Sequence, residues 1–270
     1  MTPRELRQRL HTGETSIGTL IVSPSPRWPD AVKNCGLDFV FIDTEHIAID
    51  RGPLSWMCQT YSALGLPPLV RIPSTDPYTA SMVLDGGAAG VIAPYVESAE
   101  EVRALRGAVK MRPIKGRKLT EMLDGGQIEP ELDQYLREAA ENRLLIANIE
   151  SVPAIQSLDR ILAEPGLDAV LIGPHDLSCS LGIPERYDHP DFLAACETIF
   201  SKARTAGMGA GIHFWGSIDD QRKWLEMGAN LLIHSADIML FQRQLTMDLQ
   251  AIRRSEPQQD DTNSGMTVVI

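Results

Sequence analysis

Little in this sequence marks an exported, membrane-spanning or nucleic-acid-binding protein. Its four cysteines, Cys35, Cys58, Cys179 and Cys196, are scattered through 270 residues without a Cys-x-x-Cys pair. That argues for reduced thiols rather than a disulfide framework or a zinc site. No apolar run approaches the roughly 18 residues of a membrane span. The N-terminus, Met1-Thr2-Pro3-Arg4-Glu5-Leu6-Arg7, is polar and has no secretory apolar stretch, so a cytoplasmic protein is expected. Positive charge is scarce as well. The net charge of -11 disfavours nucleic acid or an anionic membrane surface as a partner. A nucleophile elbow, a P-loop and a Rossmann fingerprint are all missing. No lysine stands at the end of an expected strand, which disfavours Schiff-base chemistry and leaves a metal as the electron sink for any carbanion.

What is present is an ordinary globular composition, 43% hydrophobic and 23% charged, with a regular alternation. After a short amphipathic helix over 4–13, strands are expected at 17–22, 39–42, 68–72, 90–94, 143–150, 168–173, 208–214 and 230–235. Helices are expected after them at 28–34, 54–64, 78–84, 98–109, 153–163, 191–205, 219–227 and 238–252, the fourth opened by a capping box of Ser98 and Glu101. Eight strand–helix units of about 30 residues each describe an α/β fold, a single-domain (β/α)8 TIM barrel over 1–254. Residues 255–270 read as a polar tail, mobile or reaching a neighbouring subunit. Residues 111–128, with Lys115, Arg117, Lys118 and the pair Gly125-Gly126, break the rhythm. They read as a long loop at the bottom of the barrel or bridging toward a neighbour.

The stretch Phe39-Val40-Phe41-Ile42-Asp43-Thr44-Glu45-His46 begins as a buried parallel strand and ends in groups that do chemistry. In parallel α/β folds ligands bind at the C-terminal ends of strands. The same end of other strands carries Arg71, Glu150, the run Gly173-Pro174-His175-Asp176, His213, His234 and Ser235. Glu150 and Asp176 follow neighbouring strands about 4.8 Å apart. Two carboxylates so placed suit Mg²⁺ or Mn²⁺, with Co²⁺ or Zn²⁺ as substitutes. The competing reading makes them helix-terminus residues favoured by the dipole. Arg71 suits a bidentate grip on a carboxylate or a developing enolate, or else an ion pair with Asp43 or Glu45. His46 suits a general base. His213 and His234, inside apolar strands, read as core or supporting groups, and the glycines of 207–211 as making room inside the barrel.

Several runs, taken together and in order, resemble the class II pyruvate aldolases. They are 41–46, Val70-Arg71-Ile72-Pro73, Leu84-Asp85-Gly86-Gly87-Ala88, Asn148-Ile149-Glu150 and 172–178. This is the 4-hydroxy-2-oxoheptanedioate and 2-keto-3-deoxy sugar acid aldolase family, and the likeness spans roughly residues 15–250. The resemblance implies a metal-dependent carbon–carbon lyase that cleaves a 4-hydroxy-2-oxo acid to pyruvate and an aldehyde through a metal-bound enolate. It implies Glu150 and Asp176 as metal ligands and Arg71 on the keto oxygen. His46 becomes the base acting through a metal-bound water, with Asp43 orienting it and Asp85 of an adjacent subunit raising its basicity. Asn148, Gly173, Pro174, His175 and Asp176 fall around the substrate, the backbone of 173–176 holding the pyruvate carboxylate. The resemblance also implies a homohexamer whose last helix packs on a neighbour, and it brings Gly116-Arg117-Lys118 close to the active site. Thr44, Asn148, His175 and Lys118 depart from the residues usual in the family. Oxaloacetate decarboxylation and enolate-trapping synthesis use the same chemistry and remain alternatives, as does a non-catalytic binding barrel.

Overall fold

The computed structural model describes residues 1–254; the expected tail over 255–270 lies outside the described residues. Eight parallel strands close into a barrel in sequence order: β1 (Ser16–Leu20), β2 (Phe39–Asp43), β3 (Pro68–Arg71), β4 (Gly90–Ala93), β5 (Leu144–Asn148), β6 (Ala169–Ile172), β7 (Gly209–Phe214) and β8 (Leu231–Ala236). Around it run α1 (Pro3–Thr12), α2 (Trp28–Val32), α3 (Arg51–Ala63), α4 (Pro77–Asp85), α5 (Ala99–Lys110), α6 (Gly116–Leu123), α7 (Pro130–Ala140), α8 (Val152–Ala163), α9 (Pro174–Ser180), α10 (Pro190–Thr205), α11 (Ile218–Glu226) and α12 (Asp237–Arg254). This is the expected TIM barrel. No described helix is long and apolar enough to cross a membrane.

The period-two geometry of the strands sorts the core into two shells. Phe39, Phe41, Leu69, Leu144, Ile146, Leu171 and Ile233 fill the barrel interior. Their neighbours Val40, Ile42, Val70, Leu145, Val170 and Leu232 pack outward under the helices. Leu6 and Leu10 of α1 join the interior cluster, so α1 plugs the N-terminal end of the barrel. The glycines of β7 make room, as expected: a Cβ on Gly211 would overlap the Leu231 carbonyl oxygen.

Residues 111–128 are not the expected loop. They contain α6, and α7 follows directly. Gly107 of α5 lies beneath Leu119 and Leu123, so α6 packs along the outside of α5. Arg117 pairs with Glu121 at 2.7 Å and Lys118 with Glu129 at 2.8 Å. Neither reaches the C-terminal mouth of the barrel within its own chain. The last helix, α12, is also unlike the rest. Ile238, Met239, Phe241, Leu245, Met247, Leu249 and Ile252 are all exposed on it. An amphipathic helix this apolar is unusual on a free surface.

Candidate active site

The inward-facing positions of the strands continue past the hydrophobic interior and turn polar at the mouth. Following Phe39 and Phe41, the next inward residue of β2 is Asp43; following Leu69 on β3 it is Arg71; following Leu144 and Ile146 on β5 it is Asn148, then Glu150. The β2–β3 register sets Asp43 directly against Arg71. These residues line or adjoin a cavity of about 490 Å³ that also takes in His46, Gly173, His175, Asp176, His213 and Trp215.

Asp43 and Arg71 form a two-point fork, Nε donating to Oδ1 at 2.8 Å and Nη2 to Oδ2 at 2.6 Å. Burial alone would raise the Asp43 carboxyl, but the fork outweighs it and holds the acid below its usual range. The same contacts overcome the burial of Arg71 and raise its pKa. Glu45 stands 3.2 Å from Arg71 Nε, yet its carboxyl is raised because burial dominates. Arg71 Nη1 makes no hydrogen bond, so one face of the guanidinium remains for a ligand. Arg71 is thus ion-paired with both Asp43 and Glu45, the two partners between which the sequence left the choice open. Asp43 accepts from Arg71 and from the Glu45 backbone N–H, and among the described residues no hydrogen bond joins it to His46, the residue the resemblance has it orient. Instead His46 Nε2 lies 3.7 Å from Glu45 Oε2, on an imidazole largely open to the cavity mouth.

Glu150 is 2% exposed. Its Oε1 accepts from Asn148 Nδ2 and its Oε2 from the Tyr95 backbone N–H at 3.1 Å. Tyr95 adopts φ +49°, an unfavourable region for a residue with a Cβ, and that turn of the backbone delivers its N–H to the carboxylate. A Cβ on Gly173 would overlap Glu150 Oε1, so glycine is required there. Burial pushes the Glu150 carboxyl up to about 7, with Arg71 opposing and Asp176 adding to the rise. Glu150 does not cap the helix after it. Ser151 does, accepting from the Ala154 N–H at 3.2 Å. Asp176 does sit in the first turn of α9. Asn148 Oδ1 is buried with no partner beside Glu150. A buried carboxylate held near neutrality, a second carboxylate and an orphaned amide oxygen are a donor set that a hard cation would satisfy. Among the described residues no group of three or more His, Cys, Asp and Glu is placed to hold a metal ion.

The remaining expected residues fall in three places. His175 lines the mouth, its Nδ1 3.7 Å from Glu185 Oε1 and its Nε2 3.9 Å from Cys179 Sγ. Asp85 closes α4 at the opposite end of the barrel and pairs with Arg112, so its own chain does not bring it to the cavity. His213, expected as a core or supporting group, is buried but lies in the cavity lining, its Nε2 3.1 Å from the Ser235 carbonyl. His234 is not part of the lining.

Residues 19–243 match the HpcH/HpaI aldolase/citrate lyase family. The chain belongs to that family. A hydroxypyruvate/pyruvate aldolase of Pseudomonas aeruginosa is 32% identical over 241 residues, 88% of this chain and 89% of that protein. A 2-keto-3-deoxy-L-rhamnonate aldolase of Klebsiella pneumoniae subsp. pneumoniae is 30% identical over 260 residues, 96% of each. Among solved structures, the citrate synthase SbnG superposes with a TM-score of 0.78 at 29% identity, covering 92% of this chain and 97% of that one. The HpcH/HpaI assignment makes the chain an aldolase-class lyase, and it agrees with the cavity described above, where carboxylates crowd one guanidinium at the mouth of a TIM barrel.

Proposed function

We propose that the chain cleaves a 4-hydroxy-2-oxo acid to pyruvate and an aldehyde, and runs the reverse addition. The excess of carboxylate over cation around Arg71 carries this reading. Asp43, Glu45, Glu150 and Asp176 surround one arginine, an arrangement that calls for a further cation. Glu150 and Asp176 would hold it, with the Asn148 amide group beside Glu150. Mg²⁺ or Mn²⁺ suits oxygen donors and open positions best. When bound, the ion supplies Lewis-acid stabilisation of charge on the 2-oxo group.

The chain's own residues do the rest. The backbone from Gly173 to Asp176 holds the substrate carboxylate, and Arg71 directs its free Nη1 at the 2-oxo oxygen. The His46 imidazole takes the proton that leaves the C4 hydroxyl oxygen. The C3–C4 bond then breaks, its electron pair moving to the 2-oxo group as an enolate that Arg71 stabilises. The proton held on the His46 imidazolium is then delivered to C3, which completes pyruvate and restores the neutral imidazole. Asp43 locks the guanidinium plane, and Glu45 sits beside His46.

The reading extends to assembly and location. A second copy of the chain covers the apolar face of α12, and a neighbouring subunit brings Asp85 and the 116–118 segment toward the mouth, as in a homohexamer. The four free thiols suit a reducing cytoplasm. Enolate capture by another electrophile is the second reading, favoured by the superposition on a citrate synthase.

Exchange of pyruvate methyl protons into D₂O, followed by NMR with Mg²⁺ or Mn²⁺ and then with EDTA, tests the step common to these reactions. Metal-dependent exchange is expected. Absence of exchange with any divalent metal would overturn the assignment to pyruvate.

A further inference from the structure

The cavity contains one polar group that the reaction above leaves unused. His213 is the last inward residue of β7 before the mouth, 9% exposed. Three contacts fix its ring. Phe41 meets it edge-on at 5.3 Å between centroids, Trp215 lies tilted against it at 4.7 Å, and Nε2 stands 3.1 Å from the Ser235 carbonyl oxygen. Ser235 has φ +55°, a conformation disfavoured for serine, at the point where its carbonyl meets the imidazole. A carbonyl can only accept, so Nε2 carries the proton and donates. Nδ1 is then the bare acceptor. It makes no hydrogen bond among the described residues, and it is not among the side-chain atoms sealed away from solvent.

The surroundings of His213 define what that acceptor meets. Arg71, whose guanidinium carbon lies 5.6 Å from the Phe41 centroid, is the only lysine or arginine in the cavity lining. It is already forked to Asp43. The share of the lining that comes from β1, α12 and the end of β7 is apolar beyond His213: Leu20, Val22, Trp215, Ile238 and Met239. Among the described residues of its own chain the lining offers no further lysine or arginine beside His213 for a second substrate carboxylate, and burying an unpaired one against this wall is costly.

We propose that His213 is a specificity-determining residue. Its Nδ1 accepts a hydrogen bond from a hydroxyl on the aldehyde half of the substrate, so the enzyme takes uncharged, hydroxyl-bearing aldehydes in preference to carboxylated ones. The inference rests on the pyruvate-enolate reading of the site. Burial lowers the imidazole to about 4, so it is a poor base and suits holding a hydroxyl rather than deprotonating one.

The test compares wild type with His213→Leu and His213→Asn in two assays. Pyruvate proton exchange in D₂O reads the enolate step alone. Aldol addition of pyruvate to glycolaldehyde, propionaldehyde and glyoxylate reads the aldehyde half. Wild type is expected to prefer glycolaldehyde over both others in kcat/KM. His213→Leu is expected to keep exchange within about twofold and to lose about tenfold or more toward glycolaldehyde, but not propionaldehyde. His213→Asn, which restores an acceptor, is expected to recover part of the loss. Equal effects of His213→Leu on glycolaldehyde and propionaldehyde, or a wild-type preference for glyoxylate, would overturn the assignment while exchange still stood. Failure of wild-type exchange would overturn the underlying reading together with it.

Discussion

The two ends of the barrel treat buried charge in opposite ways. At the N-terminal end, one carboxylate, Asp168, is fully buried and over-supplied with partners. It accepts from Arg7 Nε at 2.6 Å, Lys110 Nζ at 2.6 Å and the Leu145 N–H at 2.8 Å, with His11 Nε2 at 3.6 Å. That cluster ties α1, α5 and β5 to the start of β6 and meets the Asp168 charge with cations of its own chain, although His11 Nε2 itself makes no hydrogen bond among the described residues. At the C-terminal end three carboxylates, Asp43, Glu45 and Glu150, share one guanidinium with Asp176 close by, a buried amide oxygen has no partner among the described residues, and burial pushes the Glu150 carboxyl up to about 7. A closed charge network is what structure requires; an open, unbalanced one is costly unless something that binds there balances it.

Glu150→Gln gives the sharpest separation of the two ends. Turnover at saturating substrate and divalent metal should fall by roughly 10³-fold or more. The melting temperature should be maintained, since Gln fills the same space and sheds a charge that burial disfavours. A large loss of stability would mean that Glu150 belongs to a structural network after all. Asp168→Ala should do the reverse. It leaves Lys110, 7% exposed, without its counter-charge, and should cost about 3–5 kcal/mol in urea unfolding. Turnover per folded molecule should be unchanged at low temperature.

The third and smallest effect follows from linkage. The Glu150 carboxyl titrates near 7 in the folded chain, above its ordinary value of 4.5, so the folded state binds that proton more tightly than the unfolded one. Its contribution is full below about pH 4.5 and is lost as pH rises through 7. With EDTA present, stability attributable to this group should drop by about 2.5 kcal/mol between pH 5 and pH 8. Glu150→Gln should flatten that slope. Saturating Mg²⁺ should flatten it too, by favouring the ionised form. Urea titrations at the two pH values, with and without metal, check all three. A wild-type slope that neither treatment changes would assign the drop to another group.

Much of this contrast was legible in the sequence. Apolar strands ending in Asp43, Arg71 and Glu150 told both the fold and the end at which to look. What was not legible depended on register and depth. Arg71 was open between a ligand-gripping group and an ion pair with Asp43 or Glu45; the β2–β3 pairing sets Asp43 opposite Arg71, and that register is written in no local pattern. His213 shares its inward phase with Phe41, and phase alone does not say which inward residue is the last before solvent. α6 was hidden between Gly116 and Gly125, whose breaker signals outweighed eight helical residues. α7 buries only Leu136, yet Leu132, Tyr135, Leu136 and Ala139 recur at helical spacing, a period that was there to be read and was passed over.

The plug formed by α1 has a kinetic consequence. With Leu6 and Leu10 stoppering one end, the barrel is a blind well with a single doorway. Whatever reacts deepest must leave last. Under the proposed chemistry, pyruvate sits at the floor near Glu150 and Arg71, and the aldehyde sits above it. The aldehyde departs first, and pyruvate cannot exit past it. Such a well enforces an ordered release, with pyruvate as the final occupant and the competitive product inhibitor.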